Sequence, residues 1–235
     1  MQELRRAFRA LFRRPGPALM AVAALALGIG MTISIFTLVN AILIRSLPYR
    51  DPDRLAIVWA ENREQGWDHE KTSFPELVDW QKTGLFDRVI GFTPNMGTIT
   101  APGEPELVHG YNLTAGALEM LGVTPMLGRP FTTEEERPGG PSAVILRYDF
   151  WLRRYGGDRN AIGQTLVFND KPYVIVGVMP PGFEFFNRES DLLFPSEIDP
   201  ASFIWRNRWV RAMARLKPGL SLAETTLRSE SPQNS

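Results

Sequence analysis

At 235 residues the chain is long enough for one good-sized domain or two small ones. Its 26 basic and 26 acidic side chains cancel, and it has no Cys and only two His, which excludes disulfide staples, thiolate metal sites and His-rich metal sites. With 44% hydrophobic, 11% aromatic and 22% charged residues, the composition is that of a folding chain, not a disordered one.

The neutral total hides an asymmetry. Residues 1–45 hold Arg5, Arg6, Arg9, Arg13, Arg14 and Arg45 against Glu3 alone, a net charge of +5, which leaves −5 on the remainder. A basic front on a mildly acidic body points to membrane lipid and away from nucleic acid, whose binders carry their basic patch on the folded domain.

Residues 1–14 place Leu4, Phe8, Leu11 and Phe12 at helical spacing with arginines between them. This pattern predicts an amphipathic segment on the cytoplasmic leaflet. From Pro15 to Ile44 the chain runs thirty residues without a charge. A bilayer core of about 30 Å needs roughly 20 helical residues, so residues 15–44 are expected to form a transmembrane helix. Val39-Asn40-Ala41 has the spacing of a signal-peptide cleavage site, but signal cores run about 7–15 apolar residues, half of what is present here. Five arginines precede the run and three (Arg45, Arg50 and Arg54) follow it closely, which puts the N-terminus in the cytoplasm and the body outside. Ala26, Gly30 and Ser34 recur at every fourth position, the spacing that lets a second helix backbone approach closely.

Prolines 48 and 52 mark a linker. Leu55–Trp59 reads as a buried strand, and Ser73-Phe74-Pro75-Glu76 has capping-box spacing for a helix reaching Lys82. Strands are expected at 88–92, 97–101 and 106–111, with a turn between the first two. A short helix at 115–121 closes on Gly122. The acids Glu134, Glu135 and Glu136 read as a solvated helix start, although they resemble a weak cation site. A strand at 142–146, a helix at 148–155 ending on Gly156-Gly157, a hairpin about Asn169-Asp170 and a strand at 209–216 complete the series. Helices and strands without a regular βαβ period give an α+β class: one N-terminal transmembrane helix, then a two-lobed mixed α+β extracytoplasmic domain. The boundaries are 1–14, 15–44, 45–220 and a tail at 221–235.

Catalytic signatures are missing. The sequence has no P-loop, no G-x-S-x-G and no H-E-x-x-H. His69 and His109 each stand alone, and Glu184, Glu189 and Asp191 read as scattered surface acids. Asn112-Leu113-Thr114 matches a glycosylation sequon, which has meaning only in a eukaryotic secretory route. No enzyme activity, cofactor or metal is expected.

Several segments in order carry a family likeness: Leu47-Pro48-Tyr49 with Asp51-Pro52-Asp53-Arg54-Leu55; Leu121-Gly122-Val123-Thr124-Pro125; Leu127-Gly128-Arg129-Pro130-Phe131; Tyr155-Gly156-Gly157-Asp158; Val176 through Phe183; and Arg215-Leu216-Lys217-Pro218-Gly219. Together they resemble the N-terminal periplasmic core domain of MacB-type ABC transporter permeases, from about Leu4 to Glu224. One departure is Arg147, where a small Ser is usual.

The resemblance implies a permease that couples ATP hydrolysis by a cytoplasmic ATP-binding subunit to extracytoplasmic movement, for export or envelope work. It implies a bacterial inner-membrane location, a periplasmic main domain, and packing against other permease helices or a second copy. Ser221-Leu222-Ala223-Glu224 opens a helix that a polar, Pro232-broken tail does not continue, so a truncated permease is expected. A stand-alone membrane-anchored binding or interaction module is the alternative.

Overall fold

The computed structural model describes residues 15–39, 49–62, 67–137, 139–186, 190–196 and 208–219. The expected amphipathic segment 1–14 and the tail 221–235 lie outside the described residues. Residues 1–47 and 48–235 group as two units.

In the first unit, helix α1 spans Pro15–Val39, with no acid in its first turn and no base in its last. Two prolines sit at its start, where a missing N–H costs nothing. Thr32 donates back to the Gly28 carbonyl at 2.8 Å, so this polar side chain satisfies itself within the helix. Side chains are described continuously only over residues 22–33, and among the described residues no helix is long and apolar enough to cross a membrane.

The second unit is mixed α+β. Its strands are β1 (Leu55–Val58), β2 (Ala60–Asn62), β3 (Trp67–Glu70), β4 (Phe86–Ala101), β5 (Glu106–Leu113), β6 (Leu127–Gly128), β7 (Ala143–Leu146), β8 (Thr165–Phe168), β9 (Lys171–Val178), β10 (Leu192–Pro195) and β11 (Arg211–Leu216). Its α-helices are α2 (Phe74–Lys82), α3 (Ala117–Leu121) and α4 (Tyr148–Tyr155). The main sheet runs β1-β11-β4-β5-β10-β7-β9-β6, and β8 pairs with both β4 and β9. Strands β4, β5, β10, β7, β9 and β8 therefore close on themselves as a six-stranded ring, from which β11 and β1 extend as an open arm.

One strand explains this architecture. Along one edge β4 pairs with β11 through Phe86–Phe92 and then with β8 from Ile99 to Ala101, while its other edge pairs with β5. The turn expected at Pro94-Asn95 does not form. Between Thr93 and Gly97 one edge of β4 has no partner strand, which is where a sheet tolerates proline. Because β4 runs unbroken from arm to ring, the body packs as one unit and not as the two lobes the sequence suggested.

Three apolar clusters follow the pleat. Inside the ring, Ile99, Val108, Leu192, Phe194, Val144, Leu146, Ile175, Leu166 and Phe168 bring together all six strands, joined by Phe150 and Trp151 of α4. On β11, Ala212, Ala214 and Leu216 pack beneath α2 with Leu77 and Trp80, while Met213 joins Ile90, Phe92 and α3 on the opposite face.

The cap of α2 is as expected: the Ser73 N–H donates to Glu76 at 2.8 Å, completing a capping box. The hairpin turn also forms, with Asn169 and Asp170 both at positive φ. Arg147 sits at the N-cap of α4 without a side-chain cap bond and pairs with Asp149 at 3.3 Å. A tight approach fixes Gly128: a Cβ there would lie 2.1 Å from the Val176 carbonyl oxygen, at φ +73°.

Candidate functional site

Residues 49–54 and the strand β11 meet in a clasp of arginines. The Arg215 side chain is only 8% exposed. Its Nε and Nη2 donate to the Met120 carbonyl at 3.1 and 2.8 Å, Nη1 donates to the Asp51 carbonyl at 3.2 Å, and Nη2 also reaches the Arg50 carbonyl. Met120 lies in the last turn of α3, where helix carbonyls lack intrahelical partners and a cation is favoured. The Arg50 N–H donates to the next of these carbonyls, Leu121, at 2.9 Å. Gly122 closes the helix at φ +69°, and a Cβ there would fall 2.5 Å from Arg50 Cβ. Arg54 completes the clasp, donating through Nε to the Leu216 carbonyl at 2.9 Å and pairing with Asp87 on β4.

Tyr49 adds an anchor. Its ring is 7% exposed and meets Phe183 edge-on at 6.3 Å, while its hydroxyl donates to the Glu184 carbonyl. Burial pushes the Tyr49 phenol up to about 12. The segment that follows the charge-free stretch is thus tied at 49 to residues 183 and 184, and at 50, 51 and 54 to α3, β11 and β4.

A second feature is an apolar groove of about 660 Å³ beside α2, lined by Phe74, Leu77, Val78, Val89, Ala115 and Glu136 among others. Glu136 accepts from the Gly116 N–H at 3.2 Å, and burial raises its pKa.

The sequence-level candidates fare unequally. Glu134–Glu136 occupy a turn, not a helix start, and Glu135 is buried at 5% exposure. Its carboxylate takes a two-pronged bond from Arg129 (2.8 and 2.7 Å) and the Thr132 N–H at 2.8 Å, so it holds a loop together and is not poised for a cation. The T-x-x-E spacing from Thr132 was the readable signal for this. Asp191 instead joins Arg153, which also binds Glu106 at 2.8 Å. Burial alone would raise the Glu106 pKa, but the bonds from Arg153 and Arg154 outweigh it and lower it. Glu189 and the side chain of His69 lie outside the described residues, as does that of Ser34. Ala26 and Gly30 are exposed on α1, and a methyl group at Gly30 would meet nothing within 4 Å. Among the described residues there is no group of three or more His, Cys, Asp or Glu able to hold a metal ion.

The Arg129 fork holds the Glu135 carboxyl below its usual range. The folded-state pKa is depressed, so the stabilisation is present above the unfolded carboxylate pKa and is lost as pH falls through the folded one. The melting temperature should therefore drop on acidification below about pH 4, and Glu135→Gln should flatten that drop. A pH series of thermal melts on both proteins measures it.

Comparison with known proteins decides the family. The model of the MacB-like periplasmic core domain matches residues 18–228. The chain belongs to that family. The fold of this MacB-like domain is similar to the periplasmic region of MacB from Actinobacillus actinomycetemcomitans, at 13% identity and a TM-score of 0.57 over 77% of this chain and 81% of that one. It is also similar to the extracellular domain of the noncanonic ABC-type transporter YknZ from Gram-positive bacteria, at 14% identity and a TM-score of 0.54 over 70% and 83%. A domain of a putative permease protein from Porphyromonas gingivalis matches at 20% identity and a TM-score of 0.56 over 75% and 78%. No match was found among curated proteins. The family is that of periplasmic domains of ABC-type transporter permeases, so the α+β domain expected from the sequence is the domain observed.

Proposed function

We propose that this MacB-like domain is anchored by residues 15–44, with its N-terminus in the cytoplasm and the body beyond Pro48 on the far side of a bacterial inner membrane. There it serves as the non-catalytic, extracytoplasmic part of an ABC permease. A cytoplasmic ATP-binding subunit hydrolyses ATP, and the conformational change reaches the body for export or envelope work.

The arginine clasp carries this reading. A push or pull arriving at residues 49–54 meets a segment bonded to α3, β11 and β4, so displacement passes into the body and is not absorbed by a slack loop. The small-residue row Ala26, Gly30 and Ser34 supports packing of α1 against other permease helices or a second permease copy. The groove beside α2 is what favours the other reading, a stand-alone anchored interaction module that needs no ATPase.

The lack of Cys makes the topology directly testable. Single substitutions Gln2→Cys and Glu104→Cys each create one thiol. In intact spheroplasts a membrane-impermeant maleimide should label the cysteine at 104 at once and the one at 2 only after permeabilisation. The reverse pattern would overturn the proposed orientation.

A further inference from the structure

The face of β4 and β5 that packs under the aromatic lid of the core continues past that lid with exposed side chains. Phe92 and Tyr111 lie beneath Phe185, at ring distances of 5.2 and 5.2 Å, and beneath Phe186, at 4.9 and 6.1 Å. Two residues further along the same face the pairing brings Pro94 opposite Tyr111, then Met96 opposite His109, with Leu107 diagonal to Met96. Met96 is 61% and Leu107 63% exposed, and Phe186 itself is 40% exposed. Met96 and Leu107 are thus exposed apolar side chains on the sheet face, and Phe186 is an exposed one at the rim of the lid.

A cation stands at the edge of this face. The Arg211 guanidinium lies over the Phe186 ring at 4.8 Å from its centroid, a cation–π contact. Its Nε is buried and has no hydrogen-bond partner among the described residues. Arg211, Pro94, Asn95, Met96, His109 and Tyr111 line a cavity of about 220 Å³. No carboxylate among the described residues pairs with this guanidinium, although the body carries five more acids than bases over residues 46–235. An arginine without an acid among the described residues, set over an aromatic ring and bordered by exposed Met and Leu, has the make-up of an interface anchor: Arg, aromatic and Met are the types enriched at such sites. The cavity falls below the roughly 300–1,000 Å³ of small-molecule pockets, so it fits a single side chain.

We propose that this face docks an acidic segment of a partner protein, with one Glu or Asp carboxylate seated on Arg211 and flanking apolar residues lying over Met96 and Leu107. The partner's carboxylate forms with the guanidinium the charge-assisted bond that no acid among the described residues supplies. This assignment stands apart from the coupling reading, because it needs neither an ATPase nor a particular membrane orientation.

Fluorescence polarisation on the full chain in nanodiscs tests it, using a labelled hexapeptide with one glutamate between leucines and its glutamine counterpart. Saturable binding of the glutamate peptide is expected, with the glutamine peptide about tenfold weaker. Arg211→Gln should bring the glutamate peptide down to the glutamine level. Met96→Asp, at an exposed position, should abolish binding of the glutamate peptide while leaving the melting temperature in place. Equal binding of the two peptides, or an unchanged affinity in Arg211→Gln, would overturn the proposal. So would free acetate competing as well as the glutamate peptide, because the apolar flanks would then contribute nothing.

Discussion

Arg215→Met is expected to destabilise the body by about 3 kcal/mol, because three buried or half-buried carbonyls lose their donor at once. Methionine keeps much of the aliphatic packing but cannot donate to Met120, Arg50 or Asp51. An orphaned polar group inside a protein costs about 1–3 kcal/mol, more than the net gain of an average hydrogen bond. The last turn of α3 also loses the cation that suits its carbonyl end. Arg215→Lys should recover only part of the loss, since one ammonium cannot reproduce a planar fork spanning three acceptors. Chemical unfolding followed by tryptophan fluorescence gives the difference. A loss below about 0.5 kcal/mol, the range of ordinary surface substitutions, would remove the clasp from the account.

The ring yields the other large effect. Phe168→Ala should cost about 4 kcal/mol. The ring of Phe168 is 2% exposed, lies tilted 4.9 Å from Phe194 and meets Tyr173 edge-on at 6.3 Å. It also sits on β8, the short strand that closes β4 against β9. Since β4 belongs to ring and arm alike, the variant should unfold in one transition at lower denaturant, with the helix α2 lost together with the ring. Two separate transitions, with α2 and the arm surviving the ring, would mean that the body is two lobes after all.

Local signals in the sequence were readable where the physics is local. Ser73 and Glu76 announced the capping box, Asn169-Asp170 announced a turn needing positive φ, and Gly122 announced the end of α3. Strand β10 was not read, because Leu192–Pro195 is buried throughout and shows no alternation to mark it as a strand. The continuity of β4 was hidden by Pro94, whose tolerance depends on an edge that only the tertiary pairing reveals. Glu135 looked like one solvated acid of three until Arg129 was seen to fold over it. The clasp had no sequence signature of its own, since its partners are main-chain carbonyls 95 to 165 residues away from Arg215. The family likeness, by contrast, was legible because glycine-bearing segments such as Leu127-Gly128-Arg129 are fixed by close backbone contacts that few residues satisfy.

The central claim is that this MacB-like domain works as the outer part of a permease driven by a cytoplasmic ATPase. The most direct measurement is ATP hydrolysis by the affinity-tagged full chain, extracted from its native membrane in mild detergent and purified through the tag. The account predicts that an ATP-binding subunit copurifies, that hydrolysis accompanies it, and that Arg215→Met changes that hydrolysis by loosening the clasp. A chain recovered alone, with no hydrolysis above that of a mock preparation, would contradict the account and leave the anchored interaction module in its place.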